Sequence, residues 1–230
     1  YLIASPFYNN HRKKLTFSFQ NINIHYFCHW YNLTFTNERA VEIAIAHHVL
    51  EKFRGKKILE IGNVLSNYYE TSHQIIDKYE KGRNITNIDI TDYNSTTLYD
   101  LIISISTLEH VGYDEYPQSK NKIHEAIEII RNHLSDEGLC IASIPIGYNE
   151  YLNPMIANNE LFDTQYFFEN FNVNPDNIDH LEEIDKILKF ELNYPFLFAS
   201  YQSDATYGIL KLEYTENGTP EYVDFYNNFP

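Results

Sequence analysis

The feature that most constrains this chain is a series of short apolar runs, the first four ending at or next to a glycine, an acid or a serine. Lys57-Ile-Leu-Glu-Ile-Gly62 comes first, then His73-Gln-Ile-Ile-Asp77, Ile85-Thr-Asn-Ile-Asp-Ile90 and Tyr99-Asp-Leu-Ile-Ile-Ser-Ile-Ser106; Leu139-Cys-Ile-Ala-Ser-Ile144 is a fifth. Short runs that do not alternate with polar residues fit strands buried on both faces, and so a parallel sheet. Two amphipathic stretches support this. Residues 36–54 repeat Val41, Ile45, Val49 and Phe53 every four positions; Thr36 is placed to cap the helix, and Glu38 meets the positive end of its dipole. From Gln118 to Leu134, residues Ile123, Ile127, Ile130 and Leu134 share a face, and Ser135-Asp-Glu-Gly138 breaks the pattern. Strands alternating with helices predict an α/β chain of right-handed crossovers.

The flanks read differently. Leu15-Thr-Phe-Ser-Phe19 alternates, Gln20-Asn21 marks a turn, and Ile22 to Trp30 is a second run. Residues 1–35 are therefore expected to form a β-hairpin extension, with residues 36–230 as the main domain. Beyond Pro145, residues 162–171 read as an aromatic helix, and Ile184 to Phe198 and Tyr207 to Tyr214 as the last two strands of the sheet.

Charge removes one class of partner. The formal net charge is −15, from 32 acidic against 17 basic residues. Such a surface repels phosphate backbones, so no nucleic-acid partner is expected. The short basic cluster His11-Arg12-Lys13-Lys14 reads as a solvated loop. No apolar run approaches the roughly 20 residues a membrane-spanning helix needs, and no signal-peptide pattern is present. Two cysteines, Cys28 and Cys140, are too few for a disulfide framework, which makes the cytoplasm the expected compartment. The sequons at Asn32, Asn84, Asn94 and Asn217 read as chance in an asparagine-rich chain. Tyr1 in place of an initiator methionine suggests a piece of a longer polypeptide or a chain whose first residues are missing.

The strand ends carry the chemistry. Gly62, in Leu59-Glu60-Ile61-Gly62-Asn63, lets backbone approach a ligand at the crevice of such a sheet, or simply makes a tight turn. Asp77 ends the second run, where an acid can accept from ribose hydroxyls; a turn role is the simpler alternative. Asp89-Ile90 ends the third, suited to gripping a base, or to capping a loop with Asp92. Ser104-Ile-Ser-Thr-Leu-Glu-His-Val111 follows the fourth, and His110 there is either functional or a satisfied structural histidine.

In this order the motifs resemble those of class I S-adenosylmethionine (SAM)-dependent methyltransferases, over about residues 36–146. The resemblance implies a Rossmann-like, mostly parallel seven-stranded sheet flanked by helices, with five parallel strands and a terminal reversed hairpin. It implies that Glu60, Gly62 and Asn63 line the methionine moiety of SAM, that Asp77 holds the ribose, that Asp89 and Ile90 face the adenine, and that Ser106 and Thr107 approach the sulfonium. The chain departs from the family's G-x-G-x-G, having Gly62-Asn-Val-Leu-Ser66. That loss weighs more against a dinucleotide, whose pyrophosphate needs close backbone approach. Asn37-Glu-Arg-Ala-Val-Glu-Ile43, Gly62-Asn-Val-Leu-Ser66 and Ser104 to Glu115 further resemble methyltransferase-like proteins of surface-glycan synthesis, including a domain fused to glycosyltransferases in a chlorella virus. That resemblance implies O-methylation of a deoxysugar such as rhamnose, in the host cytoplasm if the origin is viral.

Methyl transfer to a hydroxyl needs alignment and a base. His110, after the fourth run, is the first choice and Asp114 the second; Glu109 would orient the cofactor or the histidine. His110, Asp114 and Glu115 are ligands a divalent metal could use, but no dense ligand spacing calls for one and none is expected. The 20 tyrosines and 15 phenylalanines include Tyr148, Tyr151, Tyr166 and Phe167, suited to a sugar face or to the core. Other readings are a methyltransferase for another small molecule or a protein, and a non-catalytic module of this fold supporting a glycosyltransferase.

Overall fold

A computed structural model describes residues 10, 13–146, 148–158, 160–168, 196–202, 213–214 and 220–221. The alternating N-terminal run folds as β1 (Thr16–Phe19) and β2 (Ile22–His25), an antiparallel hairpin. Gln20 and Asn21 turn it with φ of 48° and 61°, the left-handed pair that a tight two-residue hairpin loop requires. Helix α1 (Arg39–Lys52) follows. Its N-cap position is Glu38, not Thr36, and Asn37 Oδ1 accepts from the Arg39 amide at 3.1 Å. Its buried surface is wider than the expected stripe, since Ile43, Ala44 and Ala46 are covered as well.

The next strands are β3 (Ile58–Ile61), β4 (Gln74–Asp77), β5 (Ile85–Asn87) and β6 (Tyr99–Ile105). Helix α2 (Asn121–Asn132) leads into β7 (Leu134–Pro145). The break expected at residues 135–138 falls inside the strand, which begins ahead of the expected start at Leu139. β7 starts at Leu134 and passes through a register shift opposite Tyr99 and Leu101, where a Cβ on Gly138 would lie 2.8 Å from the Tyr99 carbonyl oxygen. An irregularity of this kind inserts residues into one strand without stopping the pairing. After α3 (Leu152–Ala157) come β8 (Thr164–Phe168), β9 (Phe196–Gln202) and the short pair β10 (Glu213–Tyr214) and β11 (Pro220–Glu221).

The central sheet has the order β5-β4-β3-β6-β7-β9-β8, parallel from β5 to β7, with β9 antiparallel to both its neighbours. This is the Rossmann-like methyltransferase arrangement, with its reversed strand inserted next to last. Expectations for the C-terminal part need correction. Residues 164–168 are a strand, not a helix, paired antiparallel with β9. β9 takes only the last three residues of the run expected at 184–198, of which 184–195 lie outside the described residues. Glu213 and Tyr214 pair with β11 and not with the main sheet, and 207–212 lie outside the described residues.

Helices between the parallel strands are sparse. Residues 62–73 and 88–98 hold only 3-10 turns, at Leu65–Asn67 and Ile90–Asp92, and residues 78–84 hold no helix. Parallel crossovers usually take roughly a dozen residues or more; residues 78–84 and 88–98 fall short of that length, and 62–73 only reaches it. The side chains of β6 alternate between two cores. Ile102 joins Leu59, Ile61, Ile76, Cys140 and Ile144 beneath α2, whereas Leu101, Ile103 and Ile105 join α1 and the hairpin residues Phe19 and Ile24. Fully burying each such side chain stabilises the fold by roughly 1.5–3 kcal/mol. The hairpin is tied into the second core: the Phe27 amide donates to the Ala40 carbonyl at 2.8 Å, and the Phe19 ring meets Tyr166 edge-on at 5.0 Å.

Candidate active site

Parallel sheets bind ligands at the carboxyl ends of their strands, where the connections diverge to opposite sides. In this sheet that point lies between β3 and β6. A cleft of about 420 Å³ opens there, lined by residues that follow β3, β4, β5 and β6. Its apolar walls include Ile61, Ile76, Ile88, Ile90 and Val111, and its polar groups include Asn63, Asp77, Thr107 and His110. Ligand pockets typically span about 300–1,000 Å³.

Gly62 has φ of +84°, a conformation that costs an L side chain strain. A Cβ there would lie 2.1 Å from Thr107 Oγ1 and 2.6 Å from its Cγ2. Space at this glycine is thus taken by Thr107 from the loop after β6. Glycine is needed so that the two loops can meet.

Glu60 is fully buried and does not line the cleft. Its Oε1 accepts from the Val64 and Leu65 amides at 2.9 and 2.8 Å, and its Oε2 lies 2.7 Å from His73 Nε2. The carboxylate shapes the loop after β3, doing in a chain without the second and third glycines what backbone freedom does elsewhere. Asp77 lines the cleft and also shapes that loop. Its Oδ1 accepts from the Tyr79 and Glu80 amides, and its Oδ2 accepts from Asn63 N at 2.9 Å. A carboxylate oxygen with one donor has capacity for another.

Asp89 sits in the cleft wall at the centre of an ion network. Its Oδ2 accepts from Lys78 Nζ at 2.8 Å and Lys122 Nζ at 2.9 Å, and its Oδ1 from the Thr91 amide and hydroxyl. Glu115 completes the group, with Lys78 at 2.8 Å and Lys122 at 2.6 Å. Burial opposes ionisation of Asp89, yet Lys78, the Thr91 amide and Lys122 hold its carboxyl well below the usual range. All four donors are internal, so the base-gripping role expected of the Asp89 side chain is not free as it stands; Ile90 offers its apolar wall to a flat ring.

Asp114 Oδ2 accepts from His110 Nδ1 and, at 2.7 Å, from the Tyr148 hydroxyl. Partial burial works against Asp114 ionisation, but the Tyr148 and His110 bonds hold its carboxyl below the ordinary range. The bond to Asp114 pushes the Tyr148 phenol up to about 12, so it stays a donor. An ionised Asp114 fixes the ring proton on Nδ1 and leaves the Nε2 lone pair available, the geometry of an oriented general base. The His110 ring meets Tyr148 edge-on at 5.0 Å, and Tyr148, Tyr113 and Tyr151 continue as an aromatic shelf. A second, open concavity of about 510 Å³ runs along Tyr113–Gln118 and shares Asp114 and Glu115 with the cleft.

Of the residues expected to meet the cofactor, the structure brings Gly62, Asn63, Asp77, Asp89, Ile90 and Thr107 to the cleft. It does not bring Glu60 or Ser106. Ser106, at φ of +39°, turns its hydroxyl away to donate to Glu42 Oε1 at 2.7 Å, and Glu42 is paired with Arg39 at 2.8 Å. Of the catalytic candidates, His110 and Asp114 line the cleft; Glu109 is buried behind it, with Oε1 3.6 Å from His110 Nε2. Sequence reasoning missed Lys78, Tyr79 and Glu80 on the cleft wall and the bridging Lys122. Lys78 directly follows a strand-ending acid, a position that could have flagged it; Lys122 reads only as an ordinary first-turn residue. Among the described residues, no three His, Cys, Asp or Glu side chains converge as a metal site, and no helix is long and apolar enough to cross a membrane.

No family model and no curated relative matches the chain. Among solved structures it is similar to the N-methyltransferase NodS from Bradyrhizobium japonicum in complex with S-adenosyl-L-homocysteine, with 14% identity, a TM-score of 0.44, and coverage of 74% of this chain and 89% of that one. A SAM-dependent methyltransferase from Clostridium acetobutylicum matches at 13% identity and TM-score 0.35, covering 68% and 87% of the two chains. The sugar N-methyltransferase KedS8 from Streptoalloteichus matches at 10% identity and TM-score 0.34, covering 56% and 58%. The fold assignment rests on the strand order and registers described above.

Proposed function

We propose that the chain is a SAM-dependent O-methyltransferase acting on a sugar hydroxyl, such as that of a deoxysugar, in glycan biosynthesis. The observation that carries this is the placement of an oriented histidine, His110 with Asp114, at the edge of a nucleoside-sized cleft on the carboxyl ends of four parallel strands. The donor set fits SAM. Ile88, Ile90 and Val111 present apolar surface for a flat base, Asp77 Oδ2 has capacity for a ribose hydroxyl, and Asn63 and Thr107 lie at the β3–β6 junction. SAM, when bound, supplies an electrophilic methyl group on a sulfonium.

The chain's own residues do the rest. Asp114 holds His110 in one tautomer; His110 Nε2 takes the proton of the acceptor hydroxyl as its oxygen becomes nucleophilic. Such a base contributes about 10²–10⁴ in rate, and alignment supplies much of the remainder. Tyr113, Tyr148 and Tyr151 offer ring faces with polar tips beside Asp114, the kind of surface that suits a pyranose. Incubation with methyl-labelled SAM and a panel of deoxysugars tests this. Label is expected in a base-stable ether product; transfer to a peptide or another small molecule, and to no sugar, would refute the acceptor class.

The saturated carboxylate of Asp89 favours a second reading, in which the domain supports a glycosyltransferase, fused or associated, without transferring methyl groups. Calorimetry showing no binding of SAM or its demethylated product would select that reading.

A further inference from the structure

Glu109 is the buried ionisable group for which the fold gives no structural reason. It is 2% exposed, and its Oε2 is buried without a hydrogen-bond partner. Its backbone is well held, since Asn149 Nδ2 donates to its carbonyl at 2.7 Å. Leaving a buried polar atom unpaired typically costs about 1–3 kcal/mol, so a residue kept there needs another account. His110 Nε2 lies 3.6 Å from Oε1, within ion-pair range.

The charges around Glu109 are unfavourable to a second anion. From α1, Glu42 faces it with both oxygens already engaged, by Arg39 and by Ser106. From the loop after β6, Asp114 faces it, with Tyr148 beyond. Arg39 is the one cation among these groups, and it is paired with Glu42. Burial first, then Glu42 and Asp114, push the Glu109 carboxyl up to about 8, against the pull of its own backbone hydrogen bond and Arg39.

We propose that Glu109 is a positioning residue for His110: a carboxyl group that is uncharged at rest and, on losing its proton, becomes the second carboxylate facing the imidazolium formed during transfer. This rests on His110 acting as the base. In the step itself the acceptor O–H proton moves to Nε2 and leaves to water through the exposed edge of the ring. The Glu109 proton is separate, and its loss goes to solvent. With Glu109 neutral, Asp114 alone stabilises the imidazolium. With Glu109 ionised, carboxylates flank both ring nitrogens and proton abstraction becomes easier.

The test is nuclear magnetic resonance of the folded chain, with ¹³C-labelled glutamate and ¹⁵N-labelled histidine, beside pH profiles of kcat/KM. The Glu109 carboxyl is expected to titrate near pH 8, and His110 Nε2 to show an inflection at the same pH. In Glu109→Gln that inflection disappears and the upward step near pH 8 in kcat/KM is lost. A Glu109 carboxyl that titrates in the ordinary range overturns the proposal without any variant, so a poorly folded Glu109→Gln does not rescue it. Persistence of the His110 inflection in Glu109→Gln overturns it as well. Full transfer by His110→Gln would instead remove the base assignment while leaving the titration result readable.

Discussion

Replacing Gly62 with alanine places a methyl group where the structure has room for none. The new Cβ would lie 2.1 Å from Thr107 Oγ1, 2.6 Å from Cγ2 and 2.8 Å from Cβ, at a φ of +84°. Left-handed strain costs roughly 1–2 kcal/mol for an L residue, and overpacking of a filled site roughly 1–3 kcal/mol more. The expected loss is therefore about 2–5 kcal/mol, read from the urea midpoint at constant slope. Thr107→Ala removes the two nearest atoms and leaves the strain. In the double variant most of the overpacking portion should return, the Cβ of residue 107 alone remaining at 2.8 Å, giving a coupling of roughly 1–2 kcal/mol between the two sites. If Gly62→Ala unfolds within about 0.5 kcal/mol of wild type, or if the two losses simply add, the loops do not meet as described.

Three further outcomes follow from the same geometry. Glu60→Gln removes the charge that accepts from Val64, Leu65 and His73; it should lower stability by roughly 2–4 kcal/mol and weaken SAM binding through the displaced loop, seen by denaturation and calorimetry. In the Lys78–Lys122–Asp89–Glu115 network the acids titrate below their usual range and the lysines above theirs. Its stabilisation is complete between the ordinary carboxylate and lysine ranges and is lost as pH falls through the depressed acids or rises through the elevated lysines. Lys122→Met should flatten the acid limb of Tm against pH, and 1 M salt should shrink the difference because the lysines are partly exposed. Asp114→Asn keeps the shape but no longer fixes the His110 tautomer; methyl transfer should fall about 10²–10⁴-fold with cofactor affinity nearly unchanged.

The parallel strands were legible because their apolar runs are short, continuous and punctuated. Residues such as Leu59, Ile75 and Leu101 are fully buried and have no solvated face to blur the pattern. The strand at 164–168 was not, because its aromatic residues fit a buried helix face and an edge strand equally well, and only pairing with a distant segment separates the two. Strand-end position identified Asp77, Asp89 and His110, since topology alone carries them to one cleft. It could not show where each carboxylate points. Glu60 and Asp77 are partly or wholly occupied by backbone amides two to fourteen residues away in sequence, and Asp89 by two lysines that no periodicity marks. The partner of His110 was read as Glu109 or left open; the three-residue 3-10 turn Leu108–His110 instead buries Glu109 and delivers His110 to Asp114.

Titration of the folded chain with SAM and with S-adenosyl-L-homocysteine in a calorimeter, beside Asp77→Ala, tests the cofactor cleft most directly. The account predicts saturable one-site binding of both ligands, weakened at least tenfold in Asp77→Ala, the equivalent of about 1.4 kcal/mol. No heat with either ligand, or equal affinity in wild type and Asp77→Ala, would contradict it.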